Sequence, residues 1–380
     1  MKRTLLDFLS DMPDPRSGNG IRHKFEEILV IAILAILSDC RTYVDMETFA
    51  EVREEWLRSF LELPGGIPSH DTFGDVLAML NPEVLHEVFR EWVETIRQLI
   101  SKEVIAVDGK TIRRSKDLAN DKRPLHVVSA WANENQLVLG QLAVDEKSNE
   151  ITAIPALLNL LYLKGCIVTI DAMGTQKEIA STIIKQGAEY VLQVKDNQKT
   201  LREDIAYYLE QEVLSQPKIQ LKASGQWAQS KDKDHGRIET RTCYVTEEID
   251  WLPGKEQWQN LAGIGMMVSE RRIGDQPKTV ETSYFIYSQK GAAAEELLKT
   301  RRGHWGIENK LHWILDTVMR EDESRARSGH GAENLSILRH LALNLVKQET
   351  SRKGSMRTKL KVCALDPTYL LKVLQLSSIP

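Results

Sequence analysis

Two aspartates close short apolar runs in the middle of the chain. Asp108 ends Val104-Ile-Ala-Val-Asp108, and Asp171 ends Cys166-Ile-Val-Thr-Ile-Asp171. Aspartate is a poor strand residue, and at the carboxyl end of a buried strand it faces the crevice where α/β sheets bind ligands. Small residues follow both (Gly109, and Ala172 with Gly174) and leave room for a substrate backbone to approach. Either aspartate alone reads equally well as a turn former after a strand; their joint placement favours a site. Two adjacent carboxylates repel, and one ordinarily takes up a proton. A divalent cation removes that penalty, and hard oxygen donors with open water positions suit magnesium or manganese. Two such ions ~3.5–4 Å apart can clamp the attacking and leaving oxygens of a phosphodiester.

That chemistry calls for a third carboxylate from a late helix, and Glu308 is the candidate. At ~100° per residue Ile307, Leu311, Ile314 and Val318 form one apolar stripe, with Glu308 at its border beside Leu315. This predicts a half-buried side chain lying against the sheet. His304 and His312 stand one turn either side on the same edge, which also resembles a zinc face. The segment lacks a His-Glu-x-x-His arrangement, however, and that disfavours zinc. Asp316, Glu321 and Asp322 are rivals for the third acid, and their ordinary reading is as solvated structural carboxylates.

The elements that must position these acids follow from periodicity. Residues 1–100 read as a helical domain, with helices over Phe25–Cys40, Val44–Leu61 and Asp71–Leu80. A fourth is capped by Asn81 with Pro82 at its first position and runs to about Ile100. Two short helices around a turn here suit a helix-turn-helix DNA reader, although plain packing is the commoner use of such a pair. Strands then follow at Val104–Asp108, Leu125–Ala132, Leu137–Val144, Cys166–Asp171 and Tyr190–Lys195. Helices are expected near Pro155–Leu163, closed by Gly165, and from the capping box Thr175-Gln-Lys-Glu178 to Gln186. The order β-β-β-α-β-α-β is that of a ribonuclease-H-like α/β fold: a mixed five-stranded sheet flanked by helices, in which the first and fourth strands are neighbours. Residues 200–290 read as a β-rich insertion, with strands near Thr240–Thr246, Ile264–Arg272 and Thr279–Ser288, before helices resume. The catalytic domain would then span 101–347, and 348–380 would form a basic helical tail.

At 380 residues, 42% hydrophobic and 27% charged, the chain has the balance of a folded, soluble protein, neither disordered nor fibrous. The apolar run Ile28–Leu37 is too short for the ~20 residues of a bilayer span. The amino terminus lacks the pattern of a signal peptide. Cys40, Cys166, Cys243 and Cys363 are scattered without a Cys-x-x-Cys pair, which fits a reduced, cytoplasmic setting. A net charge of −4 does not advertise a nucleic-acid binder. Local patches set phosphate affinity, however, and two exist: Lys110–Lys116, and Lys347, Arg352, Lys353, Arg357, Lys359, Lys361 and Lys372.

Several motifs resemble one family in order along almost the whole chain. They are Ala106-Val-Asp-Gly-Lys-Thr-Ile-Arg113, Glu146-Lys-Ser-Asn-Glu-Ile-Thr-Ala-Ile-Pro155, Thr169-Ile-Asp-Ala-Met-Gly-Thr-Gln176, Val194-Lys-Asp-Asn-Gln198 and His304-Trp-Gly-Ile-Glu-Asn-Lys-Leu-His-Trp313. With Asp14-Pro-Arg16 and Ile67-Pro-Ser-His-Asp-Thr-Phe73, they resemble the H-repeat-associated proteins, insertion-sequence transposases of the DDE class. The resemblance implies a ribonuclease-H-like core with Asp108, Asp171 and Glu308 as ligands of a magnesium or manganese pair. It also implies an insertion between the second and third acids, and a dimer acting on double-stranded DNA. The implied activity is cleavage at element ends followed by strand transfer. A domesticated, non-cutting binder and a nuclease without strand transfer are the alternatives. Many relatives carry Tyr-x-x-Arg-x-x-x-Glu-x-x-x-x-x-x-Lys around the third acid. Here Arg301 and His304 precede Glu308 at those positions and Leu315 follows it, which leaves His304 in place of the arginine and Lys310 as the available substitute for the lysine. Lys110, Arg113, Arg114 and Lys195 follow strand ends near the acids and are expected on DNA phosphates, with Asn197 and Gln198 at bases or sugars.

Overall fold

The computed structural model describes residues 3–18, 20–116, 123–144, 149–234 and 236–375. Six helices come first: α1 (Leu5–Ser10), α2 (Phe25–Leu37), α3 (Tyr43–Val52), α4 (Glu54–Leu57), α5 (His70–Met79) and α6 (Pro82–Ile96). The single helix expected over Val44–Leu61 is two, because Arg53 leaves helical geometry (φ −109°, ψ 13°) and ends α3. Asn81 caps α6 as anticipated, its side chain accepting from the Glu83 amide at 3.0 Å. α5 packs on α3 and on a late helix, α13 (Gly331–Gln348), which also covers α2 and α6. Almost every side chain of α2 is buried, so its continuous apolar run belongs to a core helix and needs no membrane. Among the described residues no helix is long and apolar enough to cross one.

The middle of the chain follows the anticipated order. β1 (Val104–Thr111), β2 (His126–Ala132) and β3 (Leu137–Ala143) form an antiparallel meander. After α7 (Glu150–Asn159), β4 (Ile167–Ile170) joins β1 in parallel; after α8 (Lys177–Lys185), β5 (Glu189–Val194) joins β4 in parallel. Two helix starts differ from expectation. α7 begins five residues before Pro155 and carries that proline inside, where its ring nitrogen forgoes one helical hydrogen bond. The Thr175 capping box does not form: Gln176 precedes α8, and the Thr175 hydroxyl donates instead to the Gln193 carbonyl at 2.6 Å, tying the loop after β4 to β5. The Glu146–Ser148 part of the second motif lies outside the described residues.

The β-rich insertion extends the sheet itself. After α9 (Lys199–Tyr208) and α10 (Lys218–Ala223) come β6 (Trp227–Asp234), β7 (Arg237–Thr246), β8 (Gly263–Ile273) and β9 (Thr279–Tyr287). β9 pairs antiparallel with β5, giving nine strands in the order β3-β2-β1-β4-β5-β9-β8-β7-β6. β6 was not anticipated. Its sequence Trp-Ala-Gln-Ser-Lys-Asp-Lys-Asp has little apolar alternation, as befits an edge strand whose charges discourage pairing with another chain. α11 (Ala294–Ile307) then crosses β1, β4, β5, β6 and β7, and continues through a π-helical turn at Glu308–His312 into α12 (Trp313–Thr317). α14 (Met356–Leu365) and α15 (Pro367–Val373) close the chain. Part of the second basic patch is structural: Lys359 donates to the Val346 carbonyl at 3.2 Å, and the Lys347 ammonium lies 5.7 Å from the Trp131 ring centroid.

Candidate metal centre

Parallel pairing of β1 with β4 sets Val107 opposite Ile170, so Asp108 and Asp171 follow at the same level of adjacent strands. Each is oriented by the chain that follows it. Asp108 Oδ1 accepts from the Gly109 amide at 2.9 Å, and Asp171 Oδ1 accepts from the Met173 amide at 3.1 Å. α11 brings Glu308 to them from the far end of the chain. Asp108, Asp171 and Glu308 line one cleft of about 260 Å³ together with Gln193, Lys195 and His304.

At the edge of that cleft, donor atoms of Asp108, Glu308 and the buried His312 all lie within 4.8 Å of one another. Asp171 lines the cleft but stands outside this tight cluster. His312 Nδ1 sits 3.0 Å from Glu308 Oε2 and 3.7 Å from Asp108 Oδ2, bridging the two acids. The sequence sets this histidine beside Glu308, on an edge that resembles a zinc face, and its four-residue spacing is the signal for the contact. The expected half-buried Glu308 is instead 55% exposed. The apolar stripe itself is correct, since Ile307, Leu311 and Ile314 are buried. A phase of 100° per residue nevertheless fails at Glu308–His312, where a wider π-helical turn begins at the glutamate and swings it out towards the cleft.

Burial pushes Asp108 up to about 6, reinforced by the negative charges of Asp171 and Glu150 and opposed by His312 and the Gly109 amide. Glu308 is held below its ordinary value, chiefly by its hydrogen bond to His312. A buried carboxylate that resists ionisation, facing two more acids, is an environment short of positive charge. The donor set of oxygens with one imidazole fits a divalent cation.

The three rivals for the third acid are occupied elsewhere. Asp316, Glu321 and Asp322 surround the Lys110 ammonium at 2.8, 3.0 and 3.5 Å. Lys110, expected on a DNA phosphate, is therefore a buried strut. Arg113 is exposed but also reaches Asp322 at 3.2 Å, while Arg114 is exposed. Lys195 is exposed at the rim of the cleft, and Lys310 is exposed on an adjacent one. The side-chain amides of Asn197 and Gln198 are engaged by the chain itself: they donate to the carbonyls of Ala172 at 2.5 Å and Thr175 at 3.1 Å, bracing the loop that carries Asp171. His304 sits in the cleft wall with Nδ1 3.1 Å from the Thr169 hydroxyl. Burial and then the Arg301 charge drive it down to about 3, so the imidazole is neutral and supplies no cation to a phosphate.

Comparison with known families decides which fold relatives these are. The model of the Transposase DDE domain family matches residues 100–345, and that described as DDE_Tnp_1-associated matches residues 6–93. The chain belongs to the DDE transposase family. The matched span of the DDE transposase domain runs from before β1 to near the end of α13 and contains all three acids. Among relatives from Escherichia coli strain K12, "Putative protein YbfL" and "H repeat-associated putative transposase YhhI" are each 38% identical over 377 residues, covering 98% of both chains. "Putative transposase YncI" of Escherichia coli O157:H7 is 38% identical over 375 residues, covering 98% of this chain and 94% of its own.

Proposed function

We propose that this chain is the transposase of an insertion sequence, which cuts DNA at the element's ends and joins the freed ends to target DNA. The observation that carries this reading is the meeting of Asp108, Asp171 and Glu308, far apart in the sequence, in one cleft. Asp108, Asp171 and Glu308 would hold magnesium or manganese, in the pair suited to phosphodiester exchange. When bound, the metal supplies charge stabilisation at the reacting phosphate. Asp108 and Asp171 are held at fixed height by the β1–β4 pairing and by their amide hydrogen bonds. Glu308 is the more exposed acid and can adjust to the DNA. His312, in reach of both carboxylates, keeps Glu308 and Asp108 from diverging. Lys195, Arg113 and Arg114 are exposed cations and would meet flanking phosphates. Two copies acting on paired ends of double-stranded DNA complete the scheme.

The test is a magnesium-dependent assay on DNA carrying the element's terminal repeats together with a target plasmid. Asp108→Asn, Asp171→Asn and Glu308→Gln should each slow cutting at least about a hundredfold, since each removes a direct ligand. If the variants cut like wild type, the site assignment is wrong. Cutting by the wild type without joined products leaves a nuclease, and tight binding without cutting leaves a DNA-binding protein.

A further inference from the structure

We infer that Arg301 anchors an anion subsite, built on the extension of the sheet, that takes a DNA phosphate beside the one being cut. This rests on the transposase reading and names how that site holds its strand. Arg301 lies on α11 and is only 6% exposed, yet it lines the same cleft as the three acids. Its Nε and Nη1 are buried with no hydrogen-bond partner among the described residues. Beneath the guanidinium is the Phe285 ring, with its centroid 5.7 Å away. No carboxylate forms an ion pair with it among the described residues. Burial draws its pKa down to about 10, the mark of a charge kept out of water without a counter-ion.

Other arginines of the cleft contrast with it. Arg241 is paired with Asp232 at 2.8 Å and with Glu239, and Arg302 with Asp232 at 2.9 Å. Their charges are already answered, whereas that of Arg301 is not. An unpaired buried guanidinium is costly to the fold, and one that lines a cleft can recover that cost by taking an anion. Of the three guanidinium nitrogens only Nη2 is not sealed, so it is the donor that meets a phosphate oxygen, as a charge-assisted hydrogen bond. The hydroxyls of Ser269 on β8 and Ser283 on β9 line the same cleft and offer neutral donors. Arg301 precedes Glu308 by two turns, roughly 10 Å of helix, so its phosphate is a neighbour of the reacting one. On this reading β7, β8 and β9 act as the floor that seats the strand.

The experiment uses the full chain and a metal-free duplex oligonucleotide ending at the element terminus. Single phosphates near the cut are replaced one at a time by neutral methylphosphonates. Wild type should lose about tenfold in affinity or more at one linkage beside the scissile one. Arg301→Met should be indifferent to charge at that linkage, and Arg301→Lys should retain part of the discrimination. Without DNA, Arg301→Met should melt at the same temperature as wild type or higher, because it removes a desolvated charge and no hydrogen bond. A linkage profile unchanged in Arg301→Met overturns the subsite, as does a lower melting temperature with that profile intact. Wild type that binds no such DNA removes the transposase reading, and the subsite with it.

Discussion

Replacing Lys110 by methionine should destabilise the protein by about 3–5 kcal/mol, the usual cost of removing one partner from a buried ion cluster. The Lys110 ammonium is shared by Asp316, Glu321 and Asp322 at 2.8–3.5 Å, and Glu321 is 1% exposed. Burial alone would raise the Glu321 carboxyl; the charges of Lys110, Arg339 and His340 outweigh it and hold the group below its ordinary value. Methionine keeps the length of the side chain but leaves Glu321 without its nearest cation, so the carboxyl must take up a proton or drag in water. The damage reaches the metal centre. Lys110 is two residues beyond Asp108 on β1, and Asp316 lies on α12 beyond Glu308, so the cluster fastens the strand bearing one acid to the helical segment bearing another. Equilibrium denaturation of Lys110→Met should show the midpoint falling sharply. A loss below about 1 kcal/mol, the range of an exposed pair, would mean that the cluster is not a strut.

A second large effect concerns pH. Asp108 is pushed up to about 6 in the folded protein, from an ordinary value of 3.8. Between these values the folded state binds a proton that the unfolded state has released, so this group makes the metal-free protein less stable as pH rises from about 4 through about 6. Two units correspond to roughly 3 kcal/mol, an upper bound for a side chain still 25% exposed. A divalent cation offsets this by answering the charge. Magnesium should therefore raise the melting temperature clearly at pH about 7.5 and only slightly at pH about 5. In Asp108→Asn the metal-free protein should be more stable at pH about 7.5 than wild type and should gain little from magnesium. Equal magnesium stabilisation of the two proteins would remove Asp108 from the site.

What the sequence disclosed depended on how local its causes are. Short β-branched runs ended by aspartate identify β1 and β4 and place their acids, because strand periodicity and a crevice-facing carboxylate are properties of a few residues. Glu308 stood out because its apolar neighbours repeat at helical spacing. The orientation of Glu308 was not legible: a π-helical turn is produced by packing against a sheet assembled from distant segments. Lys110 illustrates the same limit. In sequence it heads a basic stretch and resembles a surface cation, yet its three partners come from residues 316–322, brought in by the fold. Thr175 has the pattern of a capping box, but the Gln193 carbonyl on β5 offers its hydroxyl a buried partner that the local chain cannot. β6 escaped notice because an edge strand need not alternate. Arg301 was visible as a departure from a signature, but its lack of a partner is a property of the folded cleft alone.

Titration of the intact protein with manganese, read by calorimetry, tests most directly whether Asp108, Asp171 and Glu308 together bind a cation. Wild type should bind manganese, and Asp108→Asn, Asp171→Asn and Glu308→Gln should each weaken that binding by at least about tenfold. Asp316→Asn, which removes the most exposed partner of Lys110 and leaves its pairs with Glu321 and Asp322 in place, should leave it near the wild-type value. Undiminished manganese binding in the first three variants, or loss only in the fourth, would contradict a metal centre at these acids.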